Sequence, residues 1–131
     1  MIRMKTDQLG VLIVEDSDVV TRRIRSMLKE LPGITVVGEA VNGIEALAIT
    51  RVMKPDVVLL DIHLPGASGV EVLKEIKSTD ERIKVMMLTN YSDLHHRKRC
   101  KDAGADYFFD KSIEFEKVPD VLTSIHNSTN R

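Results

Sequence analysis

The chain has 131 residues, of which 43% are apolar and 30% are charged, and its formal net charge is −1 at pH 7. These values are typical of one soluble globular domain, and they argue against a nucleic-acid-binding domain, which would normally be strongly basic. The single cysteine, Cys100, excludes an internal disulfide. Together with the lack of an apolar segment of signal-peptide or membrane-spanning length, it favours a cytoplasmic protein.

Short apolar runs alternate with amphipathic segments along the chain, which predicts repeated strand–helix units and a parallel sheet. The runs predict strands at residues 11–14, 34–39, 57–61, 85–89 and 107–111. Apolar residues at helical spacing predict helices over residues 20–31, 44–52, 70–76, 93–103 and 118–125. Five strands and five helices account for the whole chain, so we expect no second domain and no output domain.

The helix predicted at residues 93–103 differs from the others because it is strongly basic. Its apolar side chains are almost confined to Leu94, Cys100 and Ala103, and histidine, arginine and lysine fill most other positions. Since a packed apolar face supplies most of the stability of a helix in a protein, we expect this helix to be weakly anchored. It is either a solvated surface helix or a mobile surface that contacts a partner.

Polar residues follow the apolar strands at their carboxyl ends. In an open parallel sheet these ends lie together and border the ligand site, and a carboxylate after a buried strand costs free energy unless it is paired or functional. Each such residue alone has an ordinary explanation as a helix cap or a surface charge. Their joint placement predicts a site for a divalent cation and a phosphoryl group. The residues are Glu15, Asp16, Asp61, Thr89 and Lys111.

Six stretches, in matching order and spacing, resemble the receiver domains of bacterial two-component response regulators, in a single-domain form similar to chemotaxis regulators. They are VLIVEDSD (11–18), AVNGIEAL (40–47), PDVVLLDIHLP (55–65), GVEVL (69–73), residues 85–89 and AGADYFFDK (103–111). The resemblance implies an α/β fold: a doubly wound five-stranded parallel sheet of flavodoxin-like order 2-1-3-4-5, with five helices on both faces. It also implies a receiver domain at residues 8–126, with short polar termini at 1–7 and 127–131.

The resemblance further implies that Asp61 accepts a phosphoryl group from a sensor histidine kinase or a phosphotransfer protein. Mg²⁺, or alternatively Mn²⁺, would be bound by Asp16, Asp61 and the backbone carbonyl of His63, with Glu15 acting through water. Carboxylate and carbonyl oxygens suit such a hard cation.

The same resemblance assigns phosphoryl binding to Thr89 and Lys111, and it makes Phe108 the aromatic residue that moves during switching. His63 and Tyr91 border the path of attacking water, so they are expected to tune the lifetime of the phosphoryl group. Ser112 stands where most relatives have proline. We therefore expect a trans Lys111–Ser112 peptide bond and predict that Ser112 is the N-cap of the final helix.

The sequence lacks the motifs of other kinds of site. The histidines have no zinc-like spacing with acids or with Cys100, no nucleotide-binding phosphate loop is present, and His63 occupies the position where aspartyl phosphatases carry a second acid. We therefore expect a phosphoacceptor signalling protein rather than an enzyme. Its output surface would be the fourth helix, fifth strand and fifth helix.

The expected partner is a downstream protein, with no direct nucleic-acid or membrane contact. The chain would be a monomer or a phosphorylation-linked homodimer. The alternative is a pseudo-receiver that binds its partner without phosphorylation, which normally lacks one of the acids or the lysine.

Overall fold

The computed structural model describes residues 8–90 and 94–129. Five parallel strands form one sheet in the order β2-β1-β3-β4-β5, which confirms the predicted doubly wound α/β fold. The elements are β1 (Leu9–Val14), α1 (Asp18–Lys29), β2 (Ile34–Ala40), α2 (Gly43–Met53), β3 (Val57–Asp61), α3 (Gly69–Thr79), β4 (Lys84–Thr89), α4 (Leu94–Asp102), β5 (Tyr107–Asp110) and α5 (Lys117–Thr129).

The core has two layers because successive side chains of a strand point to opposite faces of the sheet. On β1, Val11 and Ile13 pack with α1 and α5, whereas Leu12 and Val14 pack with α2, α3 and the buried Cys100 of α4. The central strands are buried on both faces, as a parallel sheet covered by helices requires.

Side-chain caps begin three of the helices just beyond the strand ends. Ser17, Asn42 and Ser68 accept hydrogen bonds from backbone N–H groups in the first turns of α1, α2 and α3. Ser17 lies only two residues after Glu15, so the cap of α1 also fixes the loop that carries the predicted acids.

The fourth helix is anchored as weakly as the sequence predicts. Cys100 is its only buried residue among those described, and Leu94 is 83% exposed. None of the helices in the described part of the chain is long and apolar enough to cross a membrane.

The prediction that Ser112 caps the final helix is wrong. Helix α5 begins at Lys117, and both the backbone N–H and the hydroxyl of Ser112 donate to Oδ1 of Asp110. The Asp110 carboxylate accepts both hydrogen bonds within a tight local turn. The Lys111–Ser112 peptide bond is trans, as expected. Helix α5 continues through Thr129, past the predicted domain boundary at residue 126.

Candidate functional site

Three carboxylates meet at the carboxyl ends of β1 and β3. These strands are hydrogen-bonded neighbours, with Val14 paired to Leu60, so the residues that follow lie at the same level of the sheet. One oxygen from each of Glu15, Asp16 and Asp61 lies within 4.8 Å of the others. Glu15 and Asp61 are buried, with 4% and 8% of their surfaces exposed, while Asp16 faces solvent.

Lys111 neutralises part of this charge. Its Nζ donates to Oε1 of Glu15 at 2.6 Å and to Oδ2 of Asp61 at 3.1 Å. The backbone N–H of Lys111 donates to the carbonyl of Thr89 at 2.9 Å, which holds the loop after β5 against the end of β4. The ammonium group therefore lies between the two buried carboxylates.

The balance of burial and charge shifts two pKa values in this cluster. Burial raises the pKa of Glu15 above its ordinary value, because the hydrogen bond and positive charge of Lys111 only partly oppose it. Burial also disfavours the charged form of Lys111, but the hydrogen bond with Glu15 and the charges of Asp61 and Glu15 outweigh it. The pKa of Lys111 is consequently raised, and the ammonium stays charged.

Backbone groups fix the remaining carboxylate oxygens. The N–H of His63 donates to Oδ1 of Asp61 at 3.2 Å, and the N–H of Ser17 donates to Oε2 of Glu15 at 3.1 Å. Helix α3 starts close to Asp61, where the N–H of Gly69 donates to the carbonyl of Ile62. A Cβ atom at Gly69 would collide with the backbone carbonyl oxygen of Asp61.

The two predicted switch residues lie on β4 and β5. Thr89 is fully buried at the end of β4, next to the strand that carries Asp61. Phe108 is half-buried on β5, and the guanidinium of Arg97 lies 4.6 Å from the centre of its ring. Tyr91 falls outside the described residues, so its assigned role stays a prediction.

Two relationships in the site were not predicted from the sequence. The direct pairing of Lys111 with Glu15 is one, and the other is the approach of His96 to His63, whose ring centres are 6.1 Å apart. The exposed imidazole of His63 lies in a groove of about 460 Å³ that His96, Arg99 and Glu71 also line. No local sequence signal places α4 against the β3–α3 loop, so this groove depends on tertiary packing.

The donor set fits a hard divalent cation. Three carboxylates supply oxygen ligands, and Mg²⁺ is typically bound by one or two carboxylates while it keeps several waters. Lys111 supplies one positive charge against three acids, so an added cation would relieve their mutual repulsion. The end of β4, which carries Thr89, runs beside the end of β3, which carries Asp61.

Comparisons with known proteins agree with this geometry. A profile of the response regulator receiver domain family matches residues 11–123. A putative transcriptional regulator of Pseudomonas aeruginosa is 42% identical over 77% of this chain and 48% of its own length. The response regulator GacA of the same species is 33% identical over 89% of this chain and 55% of its own length. The chain thus spans about half the length of these curated relatives.

Among solved structures, a chain of the CheX–CheY complex with BeF3 and Mg²⁺ from Borrelia burgdorferi is similar, with a TM-score of 0.82 and 27% identity. The match covers 89% of this chain and 88% of that one.

Proposed function

The chain belongs to the response regulator receiver domain family, and from that premise we propose that it is a phosphorylation-controlled switch in two-component signal transduction. Asp61 accepts a phosphoryl group from a sensor histidine kinase or a phosphotransfer protein. The modified domain then changes the surface formed by α4, β5 and α5, which controls a downstream protein.

One observation carries the proposal: Asp61 lies within 4.8 Å of two further carboxylates and 3.1 Å from the Lys111 ammonium. A buried carboxylate with this surrounding is placed to act as a nucleophile. In the transfer, one oxygen of Asp61 attacks the phosphorus of a phosphohistidine. An O–P bond forms as the P–N bond breaks, and the imidazole leaves with the electron pair of that bond.

The other residues of the site prepare Asp61 for this step. The His63 N–H holds one carboxylate oxygen, which leaves the oxygen facing Lys111 as the nucleophile. As the new bond forms, the Lys111 ammonium leaves that oxygen and instead pairs with the transferred phosphoryl oxygens. Asp16 and Asp61 would hold Mg²⁺ or Mn²⁺ directly, with the His63 carbonyl, while Glu15 would act through water. Such an ion supplies positive charge to the incoming phosphoryl group.

We assign the conformational response to phosphorylation to Thr89 and Phe108. The Thr89 hydroxyl binds a phosphoryl oxygen, and Phe108 repacks as Thr89 moves. Phe108 contacts Arg97 of α4 through its ring and through its carbonyl, at 3.4 Å, so a change at β5 reaches α4 directly. His63 and Tyr91 would set the lifetime of the phosphoryl group by admitting or excluding water.

In this role the protein is a signalling module that catalyses only its own phosphorylation and dephosphorylation. The cytoplasmic location and the monomer–dimer state stay predictions. The pseudo-receiver alternative gains no support, because all of the acids and the lysine are present at the site.

Labelling of Asp61 tests the proposal. Acetyl phosphate and Mg²⁺ should label the wild type, and Asp61→Asn should abolish the label while thermal unfolding by circular dichroism stays cooperative. Asp120→Asn, which removes an exposed carboxylate of α5, is the matched control and should be labelled like the wild type. Equal labelling of Asp61→Asn and wild type would reject Asp61 as the acceptor.

A further inference from the structure

Two imidazoles and a carboxylate line one groove near the end of β3. The groove, of about 460 Å³, lies between α4 and the loop from β3 to α3. His63 borders it on the loop, His96 on α4 and Glu71 in the first turn of α3, and we call it the His–Glu groove. The rings of His63 and His96 are 6.1 Å apart between centres and are tilted by 59°. These residues have no zinc-like spacing in the sequence, so only the packing of α4 brings them together.

The backbone fixes the positions from which these three side chains extend. His63 and Ser68 pair as an isolated antiparallel bridge, which closes the loop between β3 and α3. Ser68 also caps α3, because its hydroxyl accepts a hydrogen bond from the N–H of Glu71 at 3.2 Å. His96 lies one turn before Cys100, the buried residue of α4, so both are on the helix face that packs against the domain.

The spacing of the two rings suits one shared metal ion. With Zn–N distances of about 2.0–2.1 Å, two imidazoles on one ion have ring centres roughly 5–6 Å apart. The observed 6.1 Å is only slightly longer, and His63 is exposed while His96 is half-buried, so both rings can adjust. The exposed carboxylate of Glu71 forms no ion pair within residues 8–90 and 94–129. It can therefore rotate toward the ion as a third ligand.

We propose that the His–Glu groove binds a divalent transition-metal ion of the Zn²⁺ class, with His63, His96 and Glu71 as ligands and water in the fourth position. Two imidazoles and a carboxylate are an established donor set for zinc in proteins, whereas Mg²⁺ is bound through oxygen ligands. The groove shares no side chain with the carboxylate cluster at the ends of β1 and β3. This second metal site goes beyond the proposed function, because it does not depend on phosphorylation of Asp61.

Arg99 also lines the groove, and its positive charge opposes a bound cation. The side chain is exposed, so water and salt screen that charge. The affinity of a site for Zn²⁺ depends chiefly on the type and geometry of its ligands, so Arg99 weakens the site without preventing binding. Arg99→Gln should consequently tighten Zn²⁺ binding.

A metal bond to His96 would anchor α4 where its own packing is weakest. Cys100 is the only buried residue of this helix among those described, and His63 belongs to a loop that α3 and β3 hold at both ends. An ion that binds both side chains stabilises the arrangement in which they are close together. Zn²⁺ should therefore slow amide hydrogen exchange in α4 more than in α2, which contributes no ligand.

Isothermal titration calorimetry with ZnCl₂ tests the inference on the untagged full chain, in excess Mg²⁺ so that Mg²⁺ competes at the carboxylate cluster. We expect one Zn²⁺ to bind in the groove. His63→Gln and His96→Gln should each weaken this binding about tenfold or more, since loss of a ligand costs at least as much as loss of a group that supports one. Glu71→Gln should weaken it less. His126→Gln removes an imidazole that lies against Gly33, before the amino end of β2, and should leave binding unchanged.

Several results would overturn the inference, and thermal unfolding by circular dichroism checks that each variant is folded. Absence of Zn²⁺ binding to the wild type would reject the site outright. Loss of binding in Asp16→Asn but not in His96→Gln would place the ion in the carboxylate cluster.

The adjacent His95 tests whether α4 binds the ion alone, because its ring centre lies 5.8 Å from that of His96. Loss of binding in His95→Gln and His96→Gln but not in His63→Gln would place the ion on α4 and reject the bridge. In the proposed site, Zn²⁺ slows hydrogen exchange of α4 in the wild type and not in His63→Gln. Equal slowing in both proteins would likewise reject the bridge.

Discussion

Lys111 Nζ lies 2.6 Å from Oε1 of Glu15, although the two residues are 96 positions apart in the chain. The contact joins the loops after β1 and β5, two strands that are separated in the sheet by β3 and β4. An aspartate at position 15 would be one methylene shorter. The glutamate therefore reaches the ammonium directly, and the site carries an internal countercharge for two buried acids.

Replacing Lys111 with Met should lower the free energy of unfolding at neutral pH by about 1–3 kcal/mol, because two buried carboxylates lose their cation. Urea unfolding measures the change, and Mg²⁺ should recover part of it. Lys117→Met is the control, since it removes a pair with Glu114 in which the lysine side chain is 63% exposed, and should cost less than about 1 kcal/mol. Equal losses in the two variants would mean that the countercharge does not stabilise the site.

Asp16→Asn should weaken Mg²⁺ binding by about tenfold or more, and Glu15→Gln should weaken it less. Both oxygens of Glu15 are engaged, by the Lys111 ammonium and by the Ser17 N–H, whereas the carboxylate of Asp16 faces solvent. Isothermal titration calorimetry measures both affinities. Asp18→Asn changes a neighbouring exposed carboxylate outside the cluster and should leave binding unchanged.

The Asp16→Asn variant should also be more stable than the wild type without metal, because it relieves like-charge repulsion near Asp61. Equal affinity losses in Asp16→Asn and Glu15→Gln would contradict the assignment of a direct and an indirect ligand.

The fold and the members of the site could be predicted because both follow from short-range patterns. The apolar run at 57–60 fixes β3, and the carboxyl ends of parallel strands lie on one edge of the sheet, which brings Asp61 close to Glu15 and Asp16. The family and the strand order were implied by the resemblance to receiver domains, and both are confirmed.

The connections between these residues could not be predicted because they depend on side-chain conformation and helix placement. Lys111 could have faced solvent, and only the packed loop shows that it bridges Glu15 and Asp61. Ser112 was assigned as a cap from its residue type, but its N–H and hydroxyl donate to the Asp110 carboxylate and the helix begins only at Lys117. Contact between His63 and His96 depends on where α4 lies.

Gly69→Ala should destabilise the protein by about 1–3 kcal/mol and slow labelling of Asp61. Its Cβ would meet the carbonyl oxygen of Asp61 and lie 2.7 Å from Cα of Ile62. Backbone atoms cannot avoid the clash by a change of rotamer, as a flexible side chain can, so the end of β3 must move. Urea unfolding and the rate of labelling measure the two effects.

Gly66→Ala is the matched control, because its Cβ would meet no atom within 4 Å but its φ is +83°. It should cost about 1–2 kcal/mol from backbone strain alone and leave labelling of Asp61 unchanged. Normal labelling of Gly69→Ala would mean that labelling of Asp61 tolerates movement of the end of β3.

The pair between Arg25 and Glu39 should make stability depend on pH. Arg25 donates to both carboxylate oxygens of Glu39, at 2.6 and 2.7 Å, and these hydrogen bonds lower the pKa of Glu39 below its ordinary value. A lowered carboxyl pKa stabilises the folded state above the unfolded pKa, and this stabilisation disappears as the pH falls through the folded pKa. Arg25→Gln should therefore be less stable than wild type at neutral pH and should approach it in acid.

The neutral-pH difference should be small, because the side chains are partly exposed and water and salt screen the pair. Urea unfolding at pH 7 and in steps down to about pH 3 follows the convergence of the two proteins. Arg22→Gln, whose pair with Asp18 is more exposed, should show a smaller difference. A gap between wild type and Arg25→Gln that persists at the lowest pH would mean that Arg25 stabilises the fold by packing of its aliphatic stem rather than by its charge.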